Sequence, residues 1–127
     1  MGRGTAQRTG SLGRRAENTA FSYLLDQGLR PVARNFRRRG GEIDIIMLDG
    51  EVLVFVEVRY RRTAAFAAPG LTVDARKQRK LIRTAALFAS TQRHLATREM
   101  RFDVIAIEES KPVCWIRDAF RPDDSAL

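Results

Sequence analysis

The chain has 127 residues and a formal net charge of +8; 44% of its residues are hydrophobic and 30% are charged. This length and apolar content favour one globular domain over a disordered chain, and no apolar run approaches the roughly 20 residues that cross a bilayer. One cysteine, Cys114, and one histidine, His94, exclude an internal disulfide and a Cys/His metal cluster, and predict a reducing, cytoplasmic location with Cys114 as a small core residue of a strand.

The first half of the chain predicts one helix and three strands. Residues 1–10 are rich in Gly, Arg and Thr, and we expect them to be flexible. Apolar residues at spacings of three and four predict the helix, which Gly28 would end. The three strands follow from short β-rich runs separated by turn residues. The predicted bounds are Ser11–Gln27 for the helix and Val32–Arg37, Glu42–Leu48 and Val52–Arg59 for the strands.

The second half begins with a loop, Arg61–Thr72, that is long enough to serve as a substrate clamp or a dimer contact. Asp74 is a good N-cap for a second helix that runs to about Thr91. Five cations crowd the start of this helix, where they oppose the helix dipole, so they favour a phosphate ligand over helix stability. They are Arg76, Lys77, Arg79, Lys80 and Arg83, and two strands, Arg101–Ile107 and Val113–Ile116, follow the helix.

This order, αβββαββ, predicts an α/β fold with a mixed sheet. The first three strands would form an antiparallel meander, and the helix after them makes a right-handed crossover that returns a parallel strand. Helices would cover the sheet. We expect one domain over residues 11–118 and a flexible tail over residues 119–127.

Three basic runs favour a polyanionic partner, with DNA preferred to RNA. Any single basic run is as readily a solvated face as a binding surface. All three runs, however, flank one cluster of carboxylates, which favours a phosphate-binding surface. The predicted nucleic-acid-binding residues are Arg37, Arg38, Arg39, Arg61, Arg62, Arg76, Lys77 and Lys80.

The hairpin predicted between the second and third strands brings carboxylates together. With Asp49-Gly50 as the turn, Leu48 pairs with Glu51 and Asp44 with Phe55. Asp44 and Glu57 are then diagonal neighbours about 7–8 Å apart, a spacing at which both can bind one divalent cation. Alternation puts Glu42, Asp44, Phe55, Glu57 and Arg59 on one face, with Glu42 opposite Glu57, and Ile43, Ile45, Val54, Val56 and Val58 on the other.

Phosphodiester hydrolysis gives this cluster a chemical use. It requires an activated water and neutralisation of charge on phosphate oxygens, and Mg²⁺ or Mn²⁺ held by one or two carboxylates supplies both. Asp44 and Glu57 fit as metal ligands and Arg59 as the adjacent catalytic cation. The alternative is that the carboxylates are ordinary residues of a solvated face, paired with nearby arginines.

Several short segments carry a family resemblance: Ala16-Glu17, Arg34–Arg37, Gly41–Asp44, Val54–Arg59, Lys77 and Arg101–Val104. With them the chain resembles the YraN family of bacterial proteins over Gly13–Ile107. That family is regarded as predicted endonucleases of the restriction-endonuclease-like superfamily, distantly similar to archaeal Holliday junction resolvases.

The resemblance implies a restriction-endonuclease-like fold with Asp44 and Glu57 as metal ligands. It also implies Glu17 as a third acidic catalytic residue and Lys77 as a phosphate contact, whereas Asp103 is expected to be structural. Without the resemblance, Glu17 is expected to be an exposed carboxylate paired with Arg14 or Arg15. Arg59 departs from the nuclease signature, in which lysine is usual. The departure matters because arginine stays charged and cannot act as a general base.

Three functions follow as hypotheses. The first is a metal-dependent nuclease acting on DNA, with branched and single-stranded forms as candidate substrates and with a homodimer as an option, since resolvase-like enzymes make two cuts. The second is a non-catalytic nucleic-acid-binding module with a degenerate nuclease fold. The third is a basic adaptor that associates with ribosomes or proteins.

Overall fold

The computed structural model describes the backbone of residues 3–61 and 73–122, and their side chains from residue 12 onward. Two helices and five strands follow one another in the order predicted from the sequence. The helices are α1 (Arg3–Asp26) and α2 (Ala75–Ser90), and the strands are β1 (Arg30–Arg38), β2 (Gly41–Asp49), β3 (Val52–Arg61), β4 (Met100–Glu108) and β5 (Cys114–Phe120).

The five strands form one mixed sheet in the spatial order β1-β2-β3-β4-β5. Only β3 and β4 pair in parallel, because α2 connects them as a crossover, and the other neighbours are antiparallel. The predicted α/β class and mixed sheet are therefore confirmed. None of the helices in the described residues is long and apolar enough to cross a membrane.

Each face of the sheet has its own core. Ala20 and Leu24 of α1 pack with Val54 and Val56 on one face. Leu81, Ala85 and Phe88 of α2 pack with Phe55, Phe102 and other residues on the opposite face. The sheet is therefore the middle layer between two helices, and the central strands β2 and β3 are buried on both sides.

Several predicted bounds differ from the structure. Helix α1 begins at Arg3 rather than Ser11. Strand β5 continues to Phe120, which is 5% exposed and lies beyond the domain boundary expected at residue 118. Cys114 is exposed at the start of this edge strand, so its prediction as a core residue is wrong. Residues 62–72, which include Arg62 and nearly all of the predicted loop, and residues 123–127 lie outside the described residues.

The hairpin register differs from the predicted one by two residues. Asp49 pairs with Val52 and Leu48 with Leu53, so Gly50 and Glu51 form the turn. Gly50 has φ +60° in the first central position, where a type II′ turn requires glycine. The prediction had placed this glycine second. A shift of two keeps the side-chain alternation of β3 relative to β2, so Phe55 still faces the side that holds α2.

Candidate functional site

The candidate site lies where the pairing of β2 with β3 stops. The last bridge of that ladder joins Ile45 to Val56. One residue further, Oδ2 of Asp44 accepts a hydrogen bond of 2.9 Å from the backbone N–H of Val58. The Asp44 side chain thus accepts the hydrogen bond of a backbone N–H that would have bonded to β2 if the ladder had continued. We call Asp44, Glu57 and Val58 the fork.

The fork interrupts the alternation of side chains along β2. Ile43 packs in the core that contains Phe55, whereas Ile45 packs in the core on the α1 side. The predicted shared face of Ile43 and Ile45 is therefore wrong, because the strand leaves the ladder between them. A close approach to α2 accompanies this change: a Cβ on Gly41 would lie 2.1 Å from Oγ1 of Thr84.

Asp44 is a carboxylate with few compensating contacts. Its pKa is raised to about 7, chiefly by burial and also by the nearby charges of Glu57, Glu17 and Glu42, against the lowering effect of the Val58 hydrogen bond. Within the described residues, no lysine or arginine forms an ion pair with Asp44. Such a group gains from any bound cation that supplies the missing positive charge.

Glu57 receives its positive charge from α2. It is 7% exposed, and the Nζ of Lys77 donates a hydrogen bond to its Oε2. Lys77 is held in the first turn of the helix, where its backbone N–H donates at 2.9 Å to the N-cap Asp74. The residue expected to contact phosphate therefore reaches the candidate metal ligand, across 20 positions of sequence.

Glu17 is the third carboxylate of the site and, like Glu57, is buried. It is 8% exposed and accepts hydrogen bonds of 2.8 and 3.2 Å from the guanidinium of Arg34 on β1. Its alternative interpretation, as an exposed residue paired with Arg14 or Arg15, is wrong because α1 turns it toward the sheet. Nε and Nη2 of Arg34 both donate to Oε1, so charge-assisted hydrogen bonds anchor this oxygen of the carboxylate.

Glu42 does not lie opposite Glu57 as predicted. The pairing of β1 with β2 places Glu42 opposite Arg37, and Nε of Arg37 donates to Oε2 of Glu42 at 2.9 Å. The ion pair with Glu42 raises the pKa of Arg37. The repulsion expected between Glu42 and Glu57 is thus relieved by an arginine on the neighbouring strand.

Two clefts open at the fork and share the wall formed by Glu42, Asp44 and Val58. The α2 cleft has a volume of about 290 Å³, and Glu57, Lys77 and Lys80 also line it. The α1 cleft is larger, about 620 Å³. Among the residues that line the α1 cleft are Gly13, Arg14, Glu17, Asn35, Arg37 and Tyr60.

Arg59 is not among the described residues that line the two clefts. It lies opposite Ala106 of β4, and its buried Nε has no hydrogen-bond partner within the described residues. The cation paired with Glu57 in the described structure is Lys77, which belongs to α2.

The other predicted nucleic-acid-binding residues are scattered around the site. Arg38 stacks its guanidinium over Phe36, 4.3 Å from the ring centre. Lys80 lines the α2 cleft, and Arg61 ends strand β3. Arg39 and Arg76 are exposed, whereas Arg62 lies outside the described residues.

The donor set of the fork suits one kind of metal. In the described part of the chain, no three His, Cys, Asp or Glu side chains come together in an arrangement that could hold a metal ion. A closed zinc site needs three or four such ligands. Mg²⁺ and Mn²⁺ bind through one or two carboxylates and keep several waters, so Asp44 and Glu57 fit these ions.

Sequence reasoning missed two features of the site. The first is the position of Asn35, which lines the α1 cleft with φ +54°; asparagine tolerates this left-handed conformation, which was the available signal. The second is the hydrogen bond from Val58 to Asp44, for which the sequence offers no signal because it depends on where the ladder ends.

Known proteins match most of the length of this chain. Residues 16–107 match the model of the Uncharacterised protein family UPF0102, which is the family called YraN above. A UPF0102 protein of Stutzerimonas stutzeri is 49% identical over 113 residues, covering 87% of this chain and 94% of the relative. One from Xanthomonas campestris is 50% identical over 113 residues, covering 88% and 93%. One from Pseudomonas putida strain F1 is 44% identical over 112 residues, covering 85% and 91%.

Proposed function

Because the chain belongs to the uncharacterised protein family UPF0102, whose description assigns no activity, we propose a function from its geometry: a divalent-metal-dependent nuclease that hydrolyses phosphodiester bonds in DNA. The observation that carries the proposal is the fork. There a half-buried carboxylate that has no ion-pair partner within the described residues, Asp44, shares a cleft with a buried carboxylate, Glu57, and with two lysines. Strongly perturbed carboxylates in a cleft are typical of functional sites.

Asp44 and Glu57 would hold the metal ion, for which the chemistry of their oxygens is suited. When bound, Mg²⁺ or Mn²⁺ activates water and neutralises charge on the phosphate. Glu17, oriented by Arg34, adds negative charge beside Asp44 and so strengthens the attraction for a cation. The protein contributes a fixed pair of carboxylate ligands at the end of a rigid sheet.

Lys77 takes the part that the nuclease signature gives to a lysine on β3. It lines the α2 cleft with Glu57, whereas Arg59 of β3 lines neither cleft in the described structure. A lysine at this position orients a phosphate oxygen by charge-assisted hydrogen bonds. Lys80, one helical turn further, extends the same positive wall.

The wider surface supports a DNA substrate. Arg76, Arg79, Lys80 and Arg83 are exposed along α2, next to the α2 cleft. Together with the net charge of +8, they favour the phosphate backbone of a nucleic acid.

A homodimer belongs to the proposal where the substrate is branched, since two cuts need two sites. A cytoplasmic location also belongs to it, because the exposed thiol of Cys114 persists in a reducing compartment.

A cleavage assay with matched variants tests the proposal. Purified protein is incubated with linear, single-stranded and branched DNA in Mn²⁺, Mg²⁺ or EDTA. We expect cleavage only with a divalent cation, and its loss in Asp44→Asn and Glu57→Gln. Glu51→Gln is the control, because Glu51 lies in the turn of the same hairpin with a side chain that is 90% exposed. Cleavage by Asp44→Asn at the wild-type rate would overturn the assignment.

Arg59 favours a second candidate, a DNA-binding module without turnover. An arginine stands where the nuclease signature has lysine, and it is not among the described residues that line either cleft. In this case binding to DNA would fall steeply with salt, no divalent cation would give cleavage, and calorimetry would detect no Mn²⁺ binding that depends on Asp44.

A further inference from the structure

We infer that the α1 cleft binds one unpaired nucleoside of the DNA strand whose phosphate lies in the α2 cleft. The inference deepens the proposed function and rests on it. It assigns a substrate class, single-stranded or splayed DNA, to the same site.

The volume of the α1 cleft matches a ligand of this size. Sites for small molecules typically measure about 300–1,000 Å³, and this cleft measures about 620 Å³. A base and its sugar fit within such a space. A base-paired duplex cannot enter it, because each base is held in the stack by its partner and its neighbours.

The two clefts differ in size and in their uncharged side chains rather than in their charge. Three carboxylates and two cations line each cleft: Glu17, Glu42, Asp44, Arg14 and Arg37 line the α1 cleft, and Glu42, Asp44, Glu57, Lys77 and Lys80 line the α2 cleft. The larger α1 cleft also has Tyr60 and Asn35, whereas the cations of the smaller α2 cleft are two lysines, which attract phosphate as point charges. A strand that crosses the fork would therefore place its base on the α1 side and its phosphate beside the lysines on the α2 side.

The α1 cleft also has side chains that recognise a base face. Tyr60 lines it, two residues after Val58 and hence on the same side of β3. Arg14 and Arg37 add guanidinium planes, and Asn35 adds an amide that both donates and accepts. Aromatic rings and guanidinium groups stack on bases of any sequence, which is the usual means of binding a single strand.

The shared wall joins the two clefts at the proposed metal ligand. Asp44 and Val58 line both clefts, so a nucleoside in one and its phosphate in the other would meet beside the Asp44 carboxylate. Taking a base out of a duplex costs a few kcal/mol, and the cost is smallest for bases that are already unpaired. The arrangement therefore selects ends, flaps and single strands.

A variant at Gly13 tests the inference by filling the cleft. Gly13 lines the α1 cleft, and a Cβ built there meets nothing within 4 Å. Leucine at this helical position is tolerated by the helix and is bulky enough to occupy space in the cleft. Gly13→Ala is the matched control, since it gives the same improvement in helix propensity with almost no filling.

Binding is measured by fluorescence anisotropy in EDTA, with a labelled 15-nucleotide single strand and with its duplex. We expect the wild type to prefer the single strand, and Gly13→Leu to lose about ten-fold in affinity for it, the size expected when one stacked base is lost. Gly13→Ala should stay within two-fold on both probes, and the duplex affinity of Gly13→Leu should not change. Tyr60→Leu, which removes a stacking face without filling the cleft, should also weaken single-strand binding.

Equal single-strand affinities for Gly13→Leu, Tyr60→Leu and the wild type would overturn the inference, as would equal losses on both probes. Because the assay contains no divalent cation, it is independent of cleavage. A wild type that cuts no DNA in Mn²⁺ but loses single-strand binding on Gly13→Leu would overturn the nuclease proposal and support the cleft. A wild type whose cleavage is abolished by Asp44→Asn but unaffected by Gly13→Leu, with unchanged binding, would overturn the cleft alone.

Discussion

Asp44 and Asp103 lie in the same sheet in opposite electrostatic surroundings. Asp103 on β4 is 1% exposed and accepts four hydrogen bonds: two from the Arg101 guanidinium at 2.9 and 3.0 Å, one from Trp115 Nε1 at 2.9 Å and one from the backbone N–H of Asp118 at 2.9 Å. Asp44 on β2 accepts one hydrogen bond from the described residues, that of Val58, and has three carboxylates for electrostatic neighbours.

The difference separates a structural carboxylate from a candidate functional one. Arg101 neutralises Asp103, as expected of a structural residue, and this arginine also pairs with Asp49 at 2.9 Å, which ties β4 to the end of β2. Asp44 in the same sheet has no ion-pair partner among the residues that the structure describes, although arginines are abundant. A deficit of this kind lowers stability and is typical of a site kept for a ligand.

The largest expected effect is the loss of stability in Asp103→Asn. The substitution removes the charge that pairs with Arg101 and leaves that guanidinium, whose side chain is 18% exposed, partly uncompensated. Breaking a buried ion pair from one side costs about 3–5 kcal/mol, and we expect a decrease of that order in the free energy of unfolding. Urea denaturation at pH 7 measures it, and a decrease below about 1 kcal/mol would contradict the structural role.

Asp44→Asn, the same chemical change in the other surroundings, should raise the free energy of unfolding. In the folded protein the pKa of Asp44 is about 7, against 3.8 in the unfolded chain. Between these two pH values the folded state therefore keeps a proton that the unfolded chain has released. Stability therefore falls as the pH rises from about 4 to 7 and is level above that range. A shift of this size corresponds to at most about 4 kcal/mol, which the variant would regain at pH 8 and not at pH 4.

Urea denaturation of the wild type and Asp44→Asn at pH 4, 6 and 8 measures this dependence. We expect the curves of the two proteins to separate with increasing pH, with the variant more stable. Saturating Mn²⁺ should narrow the gap at pH 8, because a ligand that binds only the folded wild type stabilises it. A variant that is less stable than the wild type at pH 8 would show that Asp44 is satisfied in solution.

The sequence predicted the order of elements and that Asp44 and Glu57 lie close together, but not the part of Val58 or the contacts around the two carboxylates. The hairpin was recognised because Gly50 sits between two β-rich runs; its register was wrong because glycine can occupy either central position of a two-residue turn. The contact of Lys77 with Glu57 depends on how α2 packs against β3, and that of Arg34 with Glu17 on how α1 packs against β1. Neither packing is encoded in a local pattern.

Glu57 provides the smallest and most specific test, because its surroundings are intermediate between those of the two aspartates. Its ion-pair partner in the described structure is Lys77, whose side chain is 47% exposed and therefore screened by water. Lys77→Met should lower the free energy of unfolding by about 0.5–1 kcal/mol, and less in 1 M NaCl. Lys80→Met is the control, since it removes the same charge from the same helix and cleft. Lys77 lies in the first turn of α2 and Lys80 one turn further, so Lys77→Met also gains more from relief of the helix dipole. The difference between the two variants therefore sets a lower limit on the contribution of the contact with Glu57. Equal effects of the two would mean that Lys77 contributes only general positive charge, and Glu57 would then be as uncompensated as Asp44.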